Sequence, residues 1–211
     1  MKSAITLATT GRAAFWGLSL LIAVGSLRWL LAPIAAVMPD MQHYTGLVPL
    51  ALYGHILFAP LALALAPLQL WQGLRSRRPR LHRAIGYGYA MSVLIAGLSS
   101  LALLPHFLGS IWAGCGFFLL AVLWIGCTAR GVWLARAGEF AAHRRWMVRS
   151  IALTFGAVTL RLLMAPLMAA GWSVTETYEI TAWASWLLSL AAVEIWPLRR
   201  ALQKGTPSGA L

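Results

Sequence analysis

The chain has 211 residues, of which 60% are hydrophobic and only 10% are charged. A water-soluble domain needs a largely polar surface, so this composition excludes one and indicates an integral membrane protein. The formal net charge of +12 would suggest nucleic-acid binding in a soluble protein, but here the cations lie in short segments between apolar runs. We therefore exclude nucleic acid as a partner and expect membrane lipids instead.

Six apolar runs follow one another along the chain, and each can cross a hydrocarbon core of about 30 Å as a helix of roughly 20 residues. Backbone hydrogen bonds must be satisfied inside lipid, and no alternating strand pattern is present, so all six are predicted to be helices. The predicted fold class is all-α, a polytopic integral membrane bundle with one transmembrane domain over residues 1–211. The predicted helices are residues 13–37, 47–71, 84–104, 111–134, 147–170 and 178–197.

Lysine and arginine mark alternate ends of these helices. They precede the first helix, lie between the second and third and between the fourth and fifth, and follow the sixth, whereas the other three loops contain none. The positive-inside rule therefore predicts a protein of the bacterial inner (cytoplasmic) membrane with both termini in the cytoplasm. The first run is longer than the apolar part of a signal peptide and is interrupted by Arg28, which favours an uncleaved spanning helix.

Three ionisable residues, Arg28, Arg161 and Glu194, lie well inside predicted helices. A charge near the bilayer centre costs roughly 2.5–3.5 kcal/mol and is retained when it is paired or functional. With a rise of about 1.5 Å per residue, Arg28, Arg161 and His55 fall at a similar depth in the outer half. Either the arginines snorkel or cap carbonyls freed at nearby prolines, or the three residues converge on a buried ligand. A quinone, a lipid headgroup, a haem propionate or a small carboxylate would suit such a site.

A second group of polar residues lies at the cytoplasmic ends of the helices. His82 begins the third helix and His143 begins the fifth, while Glu194 and Arg149 approach the same level. The structural interpretation is a Glu194–Arg149 ion pair. The functional interpretation makes the two histidines axial ligands of a haem, with Arg149 or Arg83 holding its propionates. A third interpretation joins the histidines and Glu194 in a metal site of two histidines and one carboxylate.

Helical spacing places further polar residues on the faces that carry these histidines. His143 and Arg161 are 18 residues apart, which is five turns at about 3.6 residues each, so they share a face. Such faces are too polar for lipid contact, and we expect them to point into the bundle. The stripes comprise Met147, Ser150 and Thr154 with His143; Gly86, Tyr89, Val93 and Ser100 with His82; and Gln69 with His55.

The histidines limit how many haems the chain can bind. A di-haem cytochrome b core uses four histidines on four central helices, two on each side of the membrane. The fourth predicted helix has no histidine, and His43 and His106 lie too far out to pair with His55. At most one haem b, between His82 and His143, is therefore expected in a cytochrome-b-like four-helix core.

Common catalytic patterns are not found in this sequence. It contains no Ser-His-acid triad, P-loop, HExxH motif or carboxylate pair, so hydrolysis and phosphoryl transfer are not expected. Three functions stay open. The first is b-type haem or quinone-linked electron transfer, the second is a non-catalytic accessory or assembly subunit of a larger membrane complex, and the third is a small-anion carrier. The carrier is disfavoured because no internal repeat is present.

Four segments resemble a prokaryotic six-helix membrane-protein family, the domain of unknown function number 2306. They are HILFAPLALALAPLQLW (55–71), RRPRLHRAIGYGYA (77–90), AAHRRWMVRSIALTFGAVTLRL (141–162) and WLLSLAAVEIW (186–196). The likeness extends over nearly the whole span from the first to the sixth helix. Ala59 and Ala66 stand where family members tend to have glycine, and Ser189 stands where asparagine is frequent. The resemblance implies that the recurring polar positions are His55, Gln69, His82, Arg83, His143, Arg144, Trp146, Met147, Arg149, Arg161 and Glu194.

Overall fold

The computed structural model describes residues 2–205, with side chains at positions 10, 11 and 13–195. Within this range the chain forms α-helices and three short 3-10 turns, and no strand. The helices are α1 (Lys2–Ser26), α2 (Ile34–Val37), α3 (Tyr44–Leu47), α4 (Pro49–Leu70), α5 (Gln72–Arg77), α6 (Pro79–Leu103), α7 (Ile111–Arg136), α8 (Phe140–Ala169) and α9 (Val174–Gly205).

Five helical stretches of the described residues are long and apolar enough to cross a membrane. They are residues 13–30, 49–70, 79–106, 111–136 and 140–169. The chain is therefore an all-α polytopic membrane protein, as its composition predicts. The sixth predicted span, residues 178–197, lies within α9, which packs along α8 and α7 but carries more acidic residues than the other long helices.

The prediction that the first helix continues to residue 37 is wrong, because α1 ends at Ser26. Proline at position 33 has no N–H to donate and disfavours a helical conformation of the residue before it. Residues 27–48 instead form 3-10 turns and the short helices α2 and α3. This segment packs over one end of the bundle through buried residues of its own and of α4 and α6. They are Ile34, Met38, Tyr44, Leu52, Ile56 and Leu103.

The third and fifth predicted helices begin earlier than their apolar runs indicate. Both α6, from Pro79, and α8, from Phe140, include the basic residues that precede their apolar runs. The turns after α7 and α8 contain Gly138 (φ +80°) and Gly171 (φ +93°). Left-handed glycines of this kind end helices at little steric cost, and they allow α7, α8 and α9 to follow one another as antiparallel neighbours.

Four helices form the centre of the bundle. α4 packs against α6, α6 against α7, α7 against α8, and α8 against α4. This ring places α6 and α8 on one diagonal, while α1 lies outside against α4 and α8, and α9 lies outside against α8 and α7. The core includes small residues of α4 that permit close approach between helices. Its buried members include Ala62, Ala66, Tyr89, Val93, Trp124, Met147 and Ile151.

Candidate functional site

Two histidines lie at the end of the ring that carries α5 and the α7–α8 turn, which we call the basic end. His82 on α6 and His143 on α8 lie within electrostatic range of each other. The Nδ1 atom of His143 is 2.8 Å from the carbonyl oxygen of Gly131 on α7. A carbonyl can only accept, so Nδ1 carries a proton, and in the neutral tautomer Nε2 keeps its lone pair. Histidines that bind metals are commonly held in this way through their other nitrogen.

Two further polar atoms at this end are buried without a hydrogen-bond partner in the described part of the chain. They are Nδ1 of His82 and Nε2 of Gln69, the latter near the end of α4. The Oε1 atom of Gln69 lies 3.1 Å from where a methyl group on Gly86 would be, so the amide packs against α6 one turn beyond His82. A buried polar group without a partner costs about 1–3 kcal/mol. We call Gln69, His82, Gly86, Gly131 and His143 the histidine site.

A hydroxyl network lies next to this site in the bundle core. The Oη atom of Tyr89 on α6 is 2.7 Å from Ser150 Oγ and 2.7 Å from Thr154 Oγ1, both on α8. Two residues of α7 complete the network. Thr128 Oγ1 lies 2.6 Å from Ser150 Oγ, and Trp124 Nε1 donates to Thr154 Oγ1 over 2.8 Å. All five side chains are buried, so the network joins three of the four central helices.

Every donor in the hydroxyl network can be assigned at once. Trp124 donates to Thr154, whose hydroxyl donates to the Ser150 carbonyl over 2.9 Å. The Thr128 hydroxyl donates to the Trp124 carbonyl over 2.7 Å. That leaves Ser150 to donate to Thr128 and Tyr89 to donate to either α8 hydroxyl. Because the network is complete without a ligand, its role is to fix the packing of α6, α7 and α8.

Sequence reasoning found three members of this network and missed two. Tyr89, Ser150 and Thr154 lie on stripes that were expected to face inward, and the structure places all three inside the bundle. Thr128 and Trp124 were missed because α7 is apolar almost throughout and has no polar stripe. The one available signal was their four-residue separation, which puts them on the same helical face.

The three outer-half residues, His55, Arg28 and Arg161, have separate hydrogen-bond partners. The Nδ1 atom of His55 lies 2.8 Å from Ser100 Oγ and 3.3 Å from the Ala96 carbonyl, so it links α4 to α6. Arg28 donates through Nε to the Val37 carbonyl at 2.8 Å and through Nη1 to the Gly25 carbonyl at 3.3 Å. Arg28 therefore caps the ends of α1 and α2, which agrees with the structural alternative.

Arg161 has partners of its own on the outside of the ring. Its Nη1 atom donates to the Ala157 carbonyl over 2.8 Å, and Nη2 donates to Ser26 Oγ on α1 over 3.1 Å. The side chain is exposed along the junction between α1 and α8. Similar depth along the bundle therefore does not bring Arg161 to the interior position that His55 occupies.

Arg149 and Glu194 are brought together as an ion pair between α8 and α9. Arg149 Nε contacts Glu194 Oε1, and Nη2 donates to Oε2 over 3.1 Å. The guanidinium also lies 5.1 Å from the centre of the Trp146 ring. Because Glu194 engages Arg149, the expectation that Arg149 holds a propionate is not met. Arg83 is exposed and has no partner among the described residues.

The expected metal site of His82, His143 and Glu194 is not assembled. Across the described residues, no group of three or more His, Cys, Asp or Glu side chains is placed to hold a metal ion. The physical reason is the pairing of Glu194 with Arg149, which holds the carboxylate on the α8–α9 face outside the ring. Only the two histidines and Gln69 therefore contribute to the histidine site.

The fold and the site define a polytopic all-α membrane protein with a polar interior. A family profile described as "Predicted membrane protein (DUF2306)" matches residues 52–197, and the chain belongs to this family. The match begins within α4, so α1 and the segment with Arg28 lie outside it. The resemblance described above was expected to begin at the first helix, and the matched range is shorter than that. The histidine site and the hydroxyl network lie inside it. No curated protein and no solved structure matches the chain.

Proposed function

We propose that the protein binds one haem b through His82 and His143 and takes part in electron transfer in the membrane. The observation that carries the proposal is the placement of two imidazoles on diagonally opposite helices at one end of the ring. The Gly131 carbonyl orients one of them with Nε2 available as a ligand. Two imidazole nitrogens are a suitable donor set for haem iron.

The other residues of the histidine site provide hydrogen-bonding atoms for a ligand that carries polar groups at its edge. Gln69 Nε2 and His82 Nδ1 are buried and unpaired, so both keep a hydrogen-bonding function for a ligand or water. Arg83, which follows His82 and is exposed, is the cation available for a propionate because Arg149 is paired with Glu194. The side chains of Gln69 and Met147 cover the walls of the site at Gly86 and Gly131.

A haem with two histidine ligands supplies one-electron transfer without an open coordination position. The chain's own contribution is to hold the imidazoles and to exclude lipid and water from the interior. The hydroxyl network performs the second task because it closes the core between α6, α7 and α8 with all its donors satisfied. His55, Arg28 and Arg161 are engaged separately and add no quinone site to the proposal.

The proposal includes an orientation in the membrane. The basic end, with α5 and the α7–α8 turn, would lie at the cytoplasmic face of a bacterial inner membrane, and α9 would serve as the sixth span. Both termini would then be cytoplasmic, and the histidine site would lie near the inner surface. Soluble or membrane-bound redox partners on that side could reach it.

The absorption spectrum of the detergent-purified protein tests this function. We expect Soret and α bands that change on reduction with dithionite, and we expect His82→Ala and His143→Ala to lose them. His106→Ala is the matched control, because this histidine lies at the opposite end of the bundle and only its backbone carbonyl is bonded, to His43. Gel filtration of each variant verifies that it is folded.

Two results would refute the haem proposal. One is the absence of a Soret band in the wild-type protein even after expression with added haem. The other is an unchanged spectrum in both histidine variants. Stable co-purification of fixed membrane partners without a chromophore would favour the accessory or assembly subunit instead.

A further inference from the structure

The junction of α1 and α8 brings together two cations that the proposed function does not use. The hydrogen bond of 3.1 Å from Arg161 Nη2 to Ser26 Oγ ties α8 to the last residue of α1. Arg28 follows two residues later, and its charge lies within electrostatic range of Arg161. We call Ser26, Arg28 and Arg161 the arginine crevice.

Neither guanidinium in the crevice forms an ion pair with a described residue. The acceptors of their hydrogen bonds are carbonyl oxygens and one hydroxyl, all of them uncharged. The ion pair that the described residues form is Arg149–Glu194, which lies elsewhere on α8, toward the basic end. The crevice therefore holds two positive charges within electrostatic range of each other, without a counterion from the described part of the chain.

The crevice is open to the lipid side of the bundle. Arg28 and Arg161 are both exposed, and Leu162 and Leu31 beside them are 53% and 91% exposed. Arg161 precedes the end of α8 at Ala169 by eight positions, which is about 12 Å along the helix axis. At that depth an unpaired cation is unfavourable in hydrocarbon, and water or a headgroup is drawn toward it.

We infer that the arginine crevice binds a phosphate-bearing anion. A guanidinium has five N–H donors, and each arginine uses two, so three remain on each side chain. Arginine pairs its donors on phosphate oxygens in planar, charge-assisted hydrogen bonds. The phosphodiester of an anionic phospholipid is the source that the surroundings favour, because its acyl chains would lie on the exposed leucines.

Native mass spectrometry of the full-length protein in non-ionic detergent tests this inference with three probes. They are phosphatidylglycerol, inorganic phosphate, and a diacylglycerol with the same acyl chains and no phosphate. We expect the first phosphatidylglycerol molecule to bind in one tight step, with a higher affinity than further phosphatidylglycerol molecules. Arg28→Gln and Arg161→Gln should each weaken this step at least tenfold, and Arg161→Lys, which keeps the charge but not the planar fork, should weaken it less.

The matched control is Arg80→Gln, which removes an exposed cation at the basic end and should leave the tight step unchanged. Tight binding of inorganic phosphate that both glutamine variants lose would also support the crevice, with a free anion as its ligand. Equal binding of diacylglycerol, unchanged affinity in both glutamine variants, or loss of the tight step in Arg80→Gln would overturn the inference. Arg28→Gln keeps the test available if Arg161→Gln does not fold.

Discussion

Buried polar residues in this bundle differ in whether their hydrogen bonds are complete. The hydroxyl of Tyr89 has two partners on α8, and every donor around it can be assigned. By contrast, His82 Nδ1 and Gln69 Nε2 have none among the described residues. Complete networks fix packing, whereas an incomplete one in a native interior needs a ligand or water to explain it. Ser19 Oγ, Trp29 Nε1 and Ser185 Oγ are also buried without a partner among the described residues, but His82 and Gln69 are the two such residues that lie at the basic end.

Replacement of Tyr89 by phenylalanine tests the structural role of the hydroxyl network. The change removes the one hydrogen bond that the Tyr89 hydroxyl donates to α8 and leaves the ring in place. Interhelical hydrogen bonds of membrane proteins contribute about 0.6 kcal/mol on average, so we expect the unfolding free energy to fall by about 0.5–1.5 kcal/mol. The measurement is an SDS titration of the protein in mixed micelles, followed by circular dichroism.

Tyr87→Phe is the control for this prediction. Tyr87 lies two residues away on α6, is 52% exposed, and contacts Arg136 through its ring, which phenylalanine keeps. We expect no measurable loss of stability. Equal losses in the two variants would show that Tyr89 acts through its position on α6 and not through its hydroxyl.

Helix ends are determined by local chemistry that the sequence displays. Ser173 and Glu176 form a capping box at the start of α9, in which Ser173 N–H donates to Glu176 Oε2 over 2.7 Å and Glu176 N–H donates to Ser173 Oγ over 3.2 Å. This motif begins α9 at Val174, four residues before the predicted start. The apolar run alone determined the prediction, so the polar first turn was left out.

The capping box predicts a pH dependence at the start of α9. Hydrogen bonds from the backbone and side chain of Ser173 hold the pKa of Glu176 below its ordinary value of 4.5. A lowered pKa means that the stabilisation is complete at neutral pH and is lost as the pH falls through that lowered value. Hydrogen exchange of the amides of residues 173–177 should therefore show weaker protection at about pH 3 than at pH 7, after correction for intrinsic rates.

Glu176→Gln provides the control for the capping prediction. The amide cannot titrate, so protection of the first turn should be weaker at neutral pH and nearly independent of pH. A pH dependence in this variant as large as in the wild-type protein would contradict the role of the carboxylate.

Two glycines of α7 test how closely α7 and α9 pack. A methyl group at Gly116 would lie 2.9 Å from the Ala182 carbonyl oxygen, which is backbone and cannot move aside, whereas one at Gly126 would meet nothing within 4 Å. We expect Gly116→Ala to lower the unfolding free energy by about 1–3 kcal/mol through overpacking. Gly126→Ala should leave it unchanged or raise it by up to about 1 kcal/mol. The same SDS titration gives both values, and similar values for the two variants would contradict the close α7–α9 contact.

At the scale of the whole molecule, the fold class could be predicted because lipid leaves few solutions for the backbone. Six apolar runs have to be helices, and polar stripes on α6 and α8 have to avoid lipid. The order of helices around the ring could not be predicted, because apolar faces of similar composition can pack in several orders. The diagonal relation of α6 and α8, on which the histidine site depends, comes only from the tertiary contacts.

The same limit explains why the sequence could not decide between the two alternatives for the outer-half residues. The number of residues along each helix gives the depth of His55, Arg28 and Arg161, but depth does not determine the direction in which a side chain points. In the structure His55 lies between α4 and α6, while the two arginines lie on the outside, at the junction of α1 and α8. The early end of α1 contributes, because it places Arg28 in a 3-10 turn and not on a helical face.

The proposed orientation can be tested by cysteine labelling in a variant without Cys115 and Cys127. Asp40 and Ser76 are exposed, and they lie at opposite ends of α4. A membrane-impermeant maleimide should label Asp40→Cys in intact cells, and it should label Ser76→Cys only after the membrane is opened. Labelling of both from the same side would contradict the proposed crossing of α4.

Electron paramagnetic resonance of the oxidised, purified protein tests the central claim most directly, since it reports the axial ligands of a ferric haem. The claim is that His82 and His143, on opposite helices of the ring, bind one group between them. We predict a low-spin signal of the bis-imidazole type, with one haem per chain, that is lost in His82→Ala and in His143→Ala and kept in His106→Ala. A protein without haem, or a low-spin signal that survives both site substitutions, would contradict the claim.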